Sequence, residues 1–235
     1  MEAKRSKKEI VNDYDRIFFK HGLREDIHYY RSILSILGDI RNKTLLDVAC
    51  GEGILLKEAQ ARGAKKTVGV DISLGALKKA RENSPGSCFI LGDGENICSN
   101  LKFDFVTCLG SLEHYDSPEA GCREITRLLK GDGRAAILLP NQFAMHALLD
   151  VLFRGRPGGE GFQIIERLAS FHEWKGFLEE NGFRVLKAYK YNQKPVIFRN
   201  GKLRSIKKFF KNILLYYITP FYFARNFIFL CEKKK

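Results

Sequence analysis

Apolar positions between Leu45 and Leu139 recur in two alternating rhythms. Short unbroken apolar runs suit strands buried on both faces, and the three-and-four spacing between them suits amphipathic helices. "TLLDVAC" reads as a first strand reaching Asp47, and "ILLKEAQARG" as a helix stopped by Gly63. "KTVGVD" is a second strand ending at Asp71, and "GALKKARENS" a helix with Leu77 and Ala80 on one side. "SCFILGD" and "FDFVTCLG" follow as third and fourth strands, the third ending at Asp93. Ser117 suits an N-cap and Pro118 the first helical position, so a helix opens there and runs through "EAGCREITRLLK", with Gly131 expected to close it. "GRAAILLPN" is a fifth strand. Such alternation predicts parallel pairing in a doubly wound α/β sheet.

After Pro140 the rhythm breaks. "QFAMHALLDVLFRGRPGGEGFQIIERLA" gives a short helix and then a Gly/Pro-rich loop. "SFHEWKGFLEENGF" restores order: Ser170 and Glu173 form a capping box and Gly182 ends the helix. "FRVLKAYKYN" and "RNFIFLCEKKK" read as the last two strands, and "EDIHYYRSILSIL" as a helix ahead of the first. The expected organisation is one domain over residues 1–235. Residues 1–40 form an N-terminal helical cap, 41–140 a ligand-binding core, and 141–235 a substrate-side and basic part.

Composition narrows the class. With 235 residues, 45% of them hydrophobic, the chain can bury a core of α/β size. "MEAKRSKKEIVNDY" lacks a secretory pattern and no run of spanning length is free of charges, so a cytoplasmic protein is expected. None of the six cysteines forms a Cys-x-x-Cys pair, which predicts neither a metal site nor a disulfide framework. The net charge of +13 is confined to one end: residues 181–235 hold 14 Lys/Arg and one acid, Glu232, while the rest of the chain is neutral. That asymmetry points to an anionic partner near the tail.

Ligands of open α/β sheets lie at the carboxyl ends of the strands. Three acids mark those ends here, and Asp71 lies 20 residues after Gly51, the offset of an acid that accepts from a ribose. The dinucleotide fingerprint Gly-x-Gly-x-x-Gly would need a glycine at position 56, which is Leu56, and no P-loop pattern occurs. The pattern therefore predicts a nucleoside site without a pyrophosphate.

"LLDVACGEG" resembles motif I of the class I S-adenosylmethionine-dependent methyltransferases; "VGVDIS", "LGDGENI" and "FDFVTCLGSLEHYDSP" resemble the next three motifs of the small-molecule and lipid branch, including the ubiquinone/menaquinone-biosynthesis type. The resemblance is close over residues 40–140 and looser beyond. It implies a Rossmann-like, seven-stranded, mostly parallel sheet with an antiparallel last strand, and S-adenosyl-L-methionine as cofactor, leaving S-adenosyl-L-homocysteine. It implies that Asp47, Ala49, Cys50, Gly51 and Gly53 shape the methionine end; Ala49 stands where many members have glycine. It assigns the ribose hydroxyls to Asp71, the adenine face to Ile72, the exocyclic amine to Asp93 beside Gly94, and the sulfonium end to Leu109 and Gly110. His114 is the candidate base, with packing at the helix entry as its other reading; Glu113 is set aside. Tyr14 belongs either to an N-terminal lid or to a surface helix.

The implied acceptor is a small molecule or a lipid-linked intermediate. "LRSIKKFFKNILLYYI", residues 203–218, predicts a helix with an apolar face and a basic stripe of Arg204, Lys207, Lys208 and Lys211. Residues 199–211 could thus meet an anionic membrane surface, or the helix could pack on its own domain. The neutral core and the lack of an RNA-binding module place nucleic acid behind these. An RNA or protein methyltransferase, and a non-catalytic cofactor-binding protein, remain as alternative readings; oligomeric state is not legible.

Overall fold

The computed structural model describes residues 27–155, 167–192, 198–199, 202–203, 213 and 216–234. Their core is a seven-stranded sheet. Its strands are β1 (Thr44–Val48), β2 (Lys66–Asp71), β3 (Cys88–Leu91), β4 (Phe103–Leu109), β5 (Leu129–Pro140), β6 (Phe183–Tyr191) and β7 (Asn226–Lys233). They lie in the order β3-β2-β1-β4-β5-β7-β6. The first five run parallel, and β7 lies antiparallel between β5 and β6. Order reverses between β1 and β4, which opens a crevice at their carboxyl ends.

Strand parity sorts the core into two layers. Leu45, Phe105, Leu138, Ile228 and Leu230 face helices α1 (Ile27–Leu37), α2 (Ile54–Ala61) and α3 (Leu74–Asn83). Leu46, Val106, Ile137, Phe227 and Phe229 face α4 (Pro118–Leu128) and α6 (Phe171–Glu180). Alternate side chains of a strand point to opposite faces, so a strand apolar throughout must be covered on both. Arg31 of α1 meets the buried Glu58 of α2 at 2.6 Å, fixing the two helices to each other.

Most terminators sit where the sequence predicts them. Gly63 and Gly182 have φ of +84° and +91°. The Ser117 hydroxyl accepts from the Ala120 N–H, and the Ser170–Glu173 capping box is complete. One stop differs. α4 ends at Leu128, and Gly131 lies inside β5. Leu129 already pairs with Phe103 of β4, and a register shift before the Phe105–Arg134 pair takes up the extra residues. Pairing with β4 thus ends the helix before any glycine is reached.

Helix α5 (Met145–Arg154) is the short helix expected after Pro140, and it buries none of its residues. The expected tail helix, with its basic stripe, lies mostly outside the described residues, as does Tyr14. Leu203, at its predicted start, sits instead in a two-residue ladder pairing Phe198–Arg199 with Lys202–Leu203. Among the described residues, no helix is long and apolar enough to cross a membrane.

Candidate active site

The turn after β1 is built from left-handed backbone. Ala49, Gly51 and Gly53 have φ of +58°, +52° and +72°. The Cys50 N–H donates to Val70 O and the Gly53 N–H to Cys50 O, at 3.0 and 2.9 Å. The turn thereby folds over the end of β2. A Cβ on Gly51 would meet nothing within 4 Å, so the residue is glycine for its φ and leaves open space above it. A Cβ on Gly53 would lie 3.0 Å from Ala80 Cβ, so its glycine also lets α2 start against α3. The Cys50 side chain is buried against Gly69, its thiol 3.9 Å from the Gly51 carbonyl.

Two carboxyls at the strand ends, Asp71 and Asp47, lie near enough to feel each other's charge. Asp71 accepts the Gly51 N–H at 2.8 Å and the Ser73 N–H at 2.9 Å, one on each oxygen. It therefore anchors the turn from below. Asp47, 4% exposed, pairs in register with Thr107 of β4, whose hydroxyl donates to it at 2.6 Å. Burial pushes the Asp47 carboxyl up to about 7; the Thr107 hydroxyl opposes that shift and the negative charge of Asp71 adds to it. An approaching cation would reverse the balance and favour the carboxylate.

Asp93 lies two residues beyond the end of β3 and bridges to Asn96, with its Oδ1 accepting the Glu95 N–H at 2.9 Å. Gly94 is packed hard: an added Cβ would fall 2.0 Å from Tyr115 Oη and 3.0 Å from Val48 Cγ1. Ile72, half-buried, follows Asp71. Leu109 ends β4, and Gly110 (φ +70°) turns the chain into a short 3-10 segment, Leu112–His114. The structure thus gathers Asp47, Ala49, Gly51, Asp71, Ile72, Asp93, Gly94, Leu109 and Gly110 along one edge of the sheet.

His114 sits on that edge with a buried side chain, its Nε2 3.5 Å from Glu113 Oε1. Glu113, set aside in the sequence, is buried, and its Oε1 would be 3.7 Å from a Cβ on Gly110. Sequence reasoning also passed over Thr107, an ordinary strand residue by pattern, and Arg167. Asn141 is occupied with structure: its side-chain amide donates to Tyr222 O and Ala224 O. Among the described residues, no cluster of His, Cys, Asp and Glu suits a metal ion.

Residues 46–137 match a family profile described as "Methyltransferase domain". The chain is similar to a ubiquinone biosynthesis O-methyltransferase of Neisseria meningitidis serogroup C, 35% identical over 104 residues, covering 40% of this chain and 43% of the relative. The chain spans about half the length of such curated relatives, from 43% to 59%. Among solved structures, a chain from the complex between the Haloferax volcanii Trm112 methyltransferase activator and a methyltransferase superposes with a TM-score of 0.73 at 15% identity, covering 96% of this chain and 98% of that one. Magnesium protoporphyrin IX methyltransferase of Synechocystis PCC 6803, with S-adenosylhomocysteine bound, gives 0.65 at 16%, covering 97% and 100%. Residues 46–137 thus match a methyltransferase domain, and the chain's motifs and strand order are similar to those of the class I S-adenosylmethionine-dependent methyltransferases.

Proposed function

We propose that this chain transfers a methyl group from S-adenosylmethionine to a small-molecule or lipid-linked acceptor. One observation carries the reading: two carboxyls, Asp47 and Asp71, lie near enough to feel each other's charge, beside a left-handed turn with open space above Gly51. That arrangement fits a ligand with an ammonium at one end and a ribose diol beside it. Asp71 would hold the ribose hydroxyls with the lone pairs left by its two backbone bonds. Asp47 would meet the ammonium as a carboxylate. Ala49, Cys50, Gly51 and Gly53 would wall the methionine portion. Ile72, Asp93 and Gly94 would hold the adenine, and Leu109 and Gly110 would lie against the sulfonium.

When bound, S-adenosylmethionine supplies an electrophilic methyl on a good leaving group. What remains for the protein is alignment and exclusion of water. His114 would take the proton of a hydroxyl acceptor, with Glu113 Oε1 beside it, 3.5 Å from its Nε2. The names of the curated relatives support a small-molecule hydroxyl as the acceptor.

A peripheral site on the inner face of a membrane is part of the proposal. The surplus positive charge of residues 181–235 supports it. So do exposed apolar side chains near the carboxyl edge: Leu152 and Phe153 of α5 are 72% and 76% exposed, and Tyr217, Ile218 and Tyr222 are exposed as well. Asn141, just before α5, donates to the carbonyls of Tyr222 and Ala224, which ties the entry of α5 to that segment. Positive charge beside exposed apolar surface suits an anionic bilayer.

Calorimetric titration with S-adenosylmethionine tests the cofactor; absence of binding would sink the reading. Incubation of methyl-labelled S-adenosylmethionine with fractionated lysate tests the acceptor. Label in the lipid or small-molecule fraction is expected, and label confined to RNA or protein would overturn that part.

A further inference from the structure

Arg167 opens the segment that leads from the acceptor-side half into α6. Among the described residues its side chain makes no carboxylate hydrogen bond. Instead its guanidinium donates to three backbone carbonyls of the loop after β4: Glu113 O at 3.3 Å, Tyr115 O, and Asp116 O at 3.2 Å. Its own N–H donates to Glu113 O at 3.2 Å. Two residues on, Ala169 O accepts the Gln142 N–H at 3.2 Å, so the same segment is also fastened to the end of β5. A planar fork of donors can bridge several carbonyls at once, which an ammonium cannot do.

The loop that Arg167 grips bears on the adenine-side turn at two points. The Tyr115 ring is wedged between Gly94 and Gly121; an added Cβ would lie 2.0 Å from Tyr115 Oη at the first and 2.6 Å from its Cδ2 at the second. Any shift of the Tyr115 backbone therefore presses on Gly94. The Ser117 N–H donates to Glu95 Oε1 at 2.6 Å. Glu95 in turn donates its own N–H to Asp93.

We propose that Arg167 is a positioning residue for the adenine end of the cofactor: by fixing the carbonyls of residues 113–116 it sets the Asp93–Asn96 turn through Tyr115 and Glu95. The proposal rests on the S-adenosylmethionine reading above and adds a residue from the other half of the chain to that site. It makes cofactor recognition depend on the acceptor-side segment, through a chain of contacts in which Arg167 touches no ligand.

The test compares calorimetric affinities for S-adenosylhomocysteine and for S-inosylhomocysteine, which lacks the exocyclic amine assigned to Asp93. The wild type is expected to prefer the first by about tenfold or more, the range of one hydrogen bond to a charged group. In Arg167→Lys and Arg167→Ala the preference should fall to within about threefold while both ligands still bind. A merely structural role would lower the melting temperature, or weaken both ligands in proportion, and leave the preference intact; that result overturns the proposal. Should Arg167→Ala not fold, Arg167→Lys and Glu95→Ala decide: both should lose the preference, and its retention in both refutes the path. A wild type that does not bind S-adenosylhomocysteine defeats the cofactor reading itself. One that binds it without preferring it defeats this proposal alone.

Discussion

The two halves of this chain solve opposite problems. From Thr44 to Leu109, four parallel strands place acidic side chains on one edge, and each of those side chains is held by hydrogen bonds from its neighbours. Beyond Pro140, α5 buries nothing and shows Leu152 and Phe153 outward. The first half spends its polarity inward, on a constellation that must keep its shape. The second presents apolar surface outward, which makes sense only against something else. The difference teaches that the acids at the strand ends are fixed by the fold, while α5 adds no buried residue to it.

Asp71→Ala is the strongest way to break the first half. It removes the acceptor for the Gly51 and Ser73 N–H groups as well as the proposed ribose contact. Affinity for S-adenosylmethionine should fall at least about a hundredfold by calorimetry, given roughly 1.5–3 kcal/mol for each hydrogen bond to a charged group. An affinity within tenfold of wild type would show that the turn stands without it.

Asp47 offers a pH signature. Its carboxyl titrates at about 7 in the folded protein against 3.8 ordinarily, because burial disfavours the charge. The folded state then holds more protons than the unfolded between those values. Stability without ligand should accordingly fall as pH rises from about 4 to 7 and level off above. A cationic ligand needs the carboxylate, so affinity should rise about tenfold between pH 6 and 8. Asp47→Asn should flatten both profiles, measured by thermal melting and by titration. A wild-type affinity independent of pH would remove Asp47 from the ammonium's side.

Gly94→Ala sharpens the comparison by damaging the turn without touching an acid. The new methyl would collide with Tyr115 Oη at 2.0 Å. Overpacking of this kind costs about 1–3 kcal/mol, visible in the melting temperature, with a several-fold loss of cofactor affinity. Adding Tyr115→Leu should restore much of both. If the double variant is no better than Gly94→Ala, the pair is not coupled.

The smallest effect on the fold is expected in the second half. Leu152→Lys with Phe153→Lys changes exposed positions, so cofactor affinity and stability should stay within about 0.5 kcal/mol of wild type. Sedimentation with anionic liposomes should nevertheless fall several-fold. Unchanged liposome binding would remove α5 from the membrane contact.

How much of this was legible beforehand depends on whether the signal is local. The strands, the capping residues Ser117 and Ser170, and the acids at the strand ends follow from periodicity and turn chemistry over short windows. The motif resemblance pointed to a methyltransferase, and residues 46–137 match such a domain. Gly131 was misread because the helix stop there is a pairing event: Leu129 joins Phe103, and no residue type announces that. Glu113 was set aside in favour of His114; the 3-10 turn places its carboxylate 3.5 Å from the His114 ring, a nearness that spacing alone does not give.

By itself, the sequence determined a two-faced parallel sheet and the acids along its edge, since burial on both faces is written as unbroken apolar runs and strand ends as acids and glycines. Only the tertiary structure decided how those acids behave. The Asp47 carboxyl is pushed up to about 7 because burial disfavours its charge and Asp71 adds to that, while the hydroxyl of Thr107, 60 residues away, partly opposes it. Arg167 counts because its guanidinium reaches carbonyls 51 to 54 residues back along the chain. Desolvation and long-range hydrogen bonding depend on what packs overhead, and no local pattern of residues encodes that.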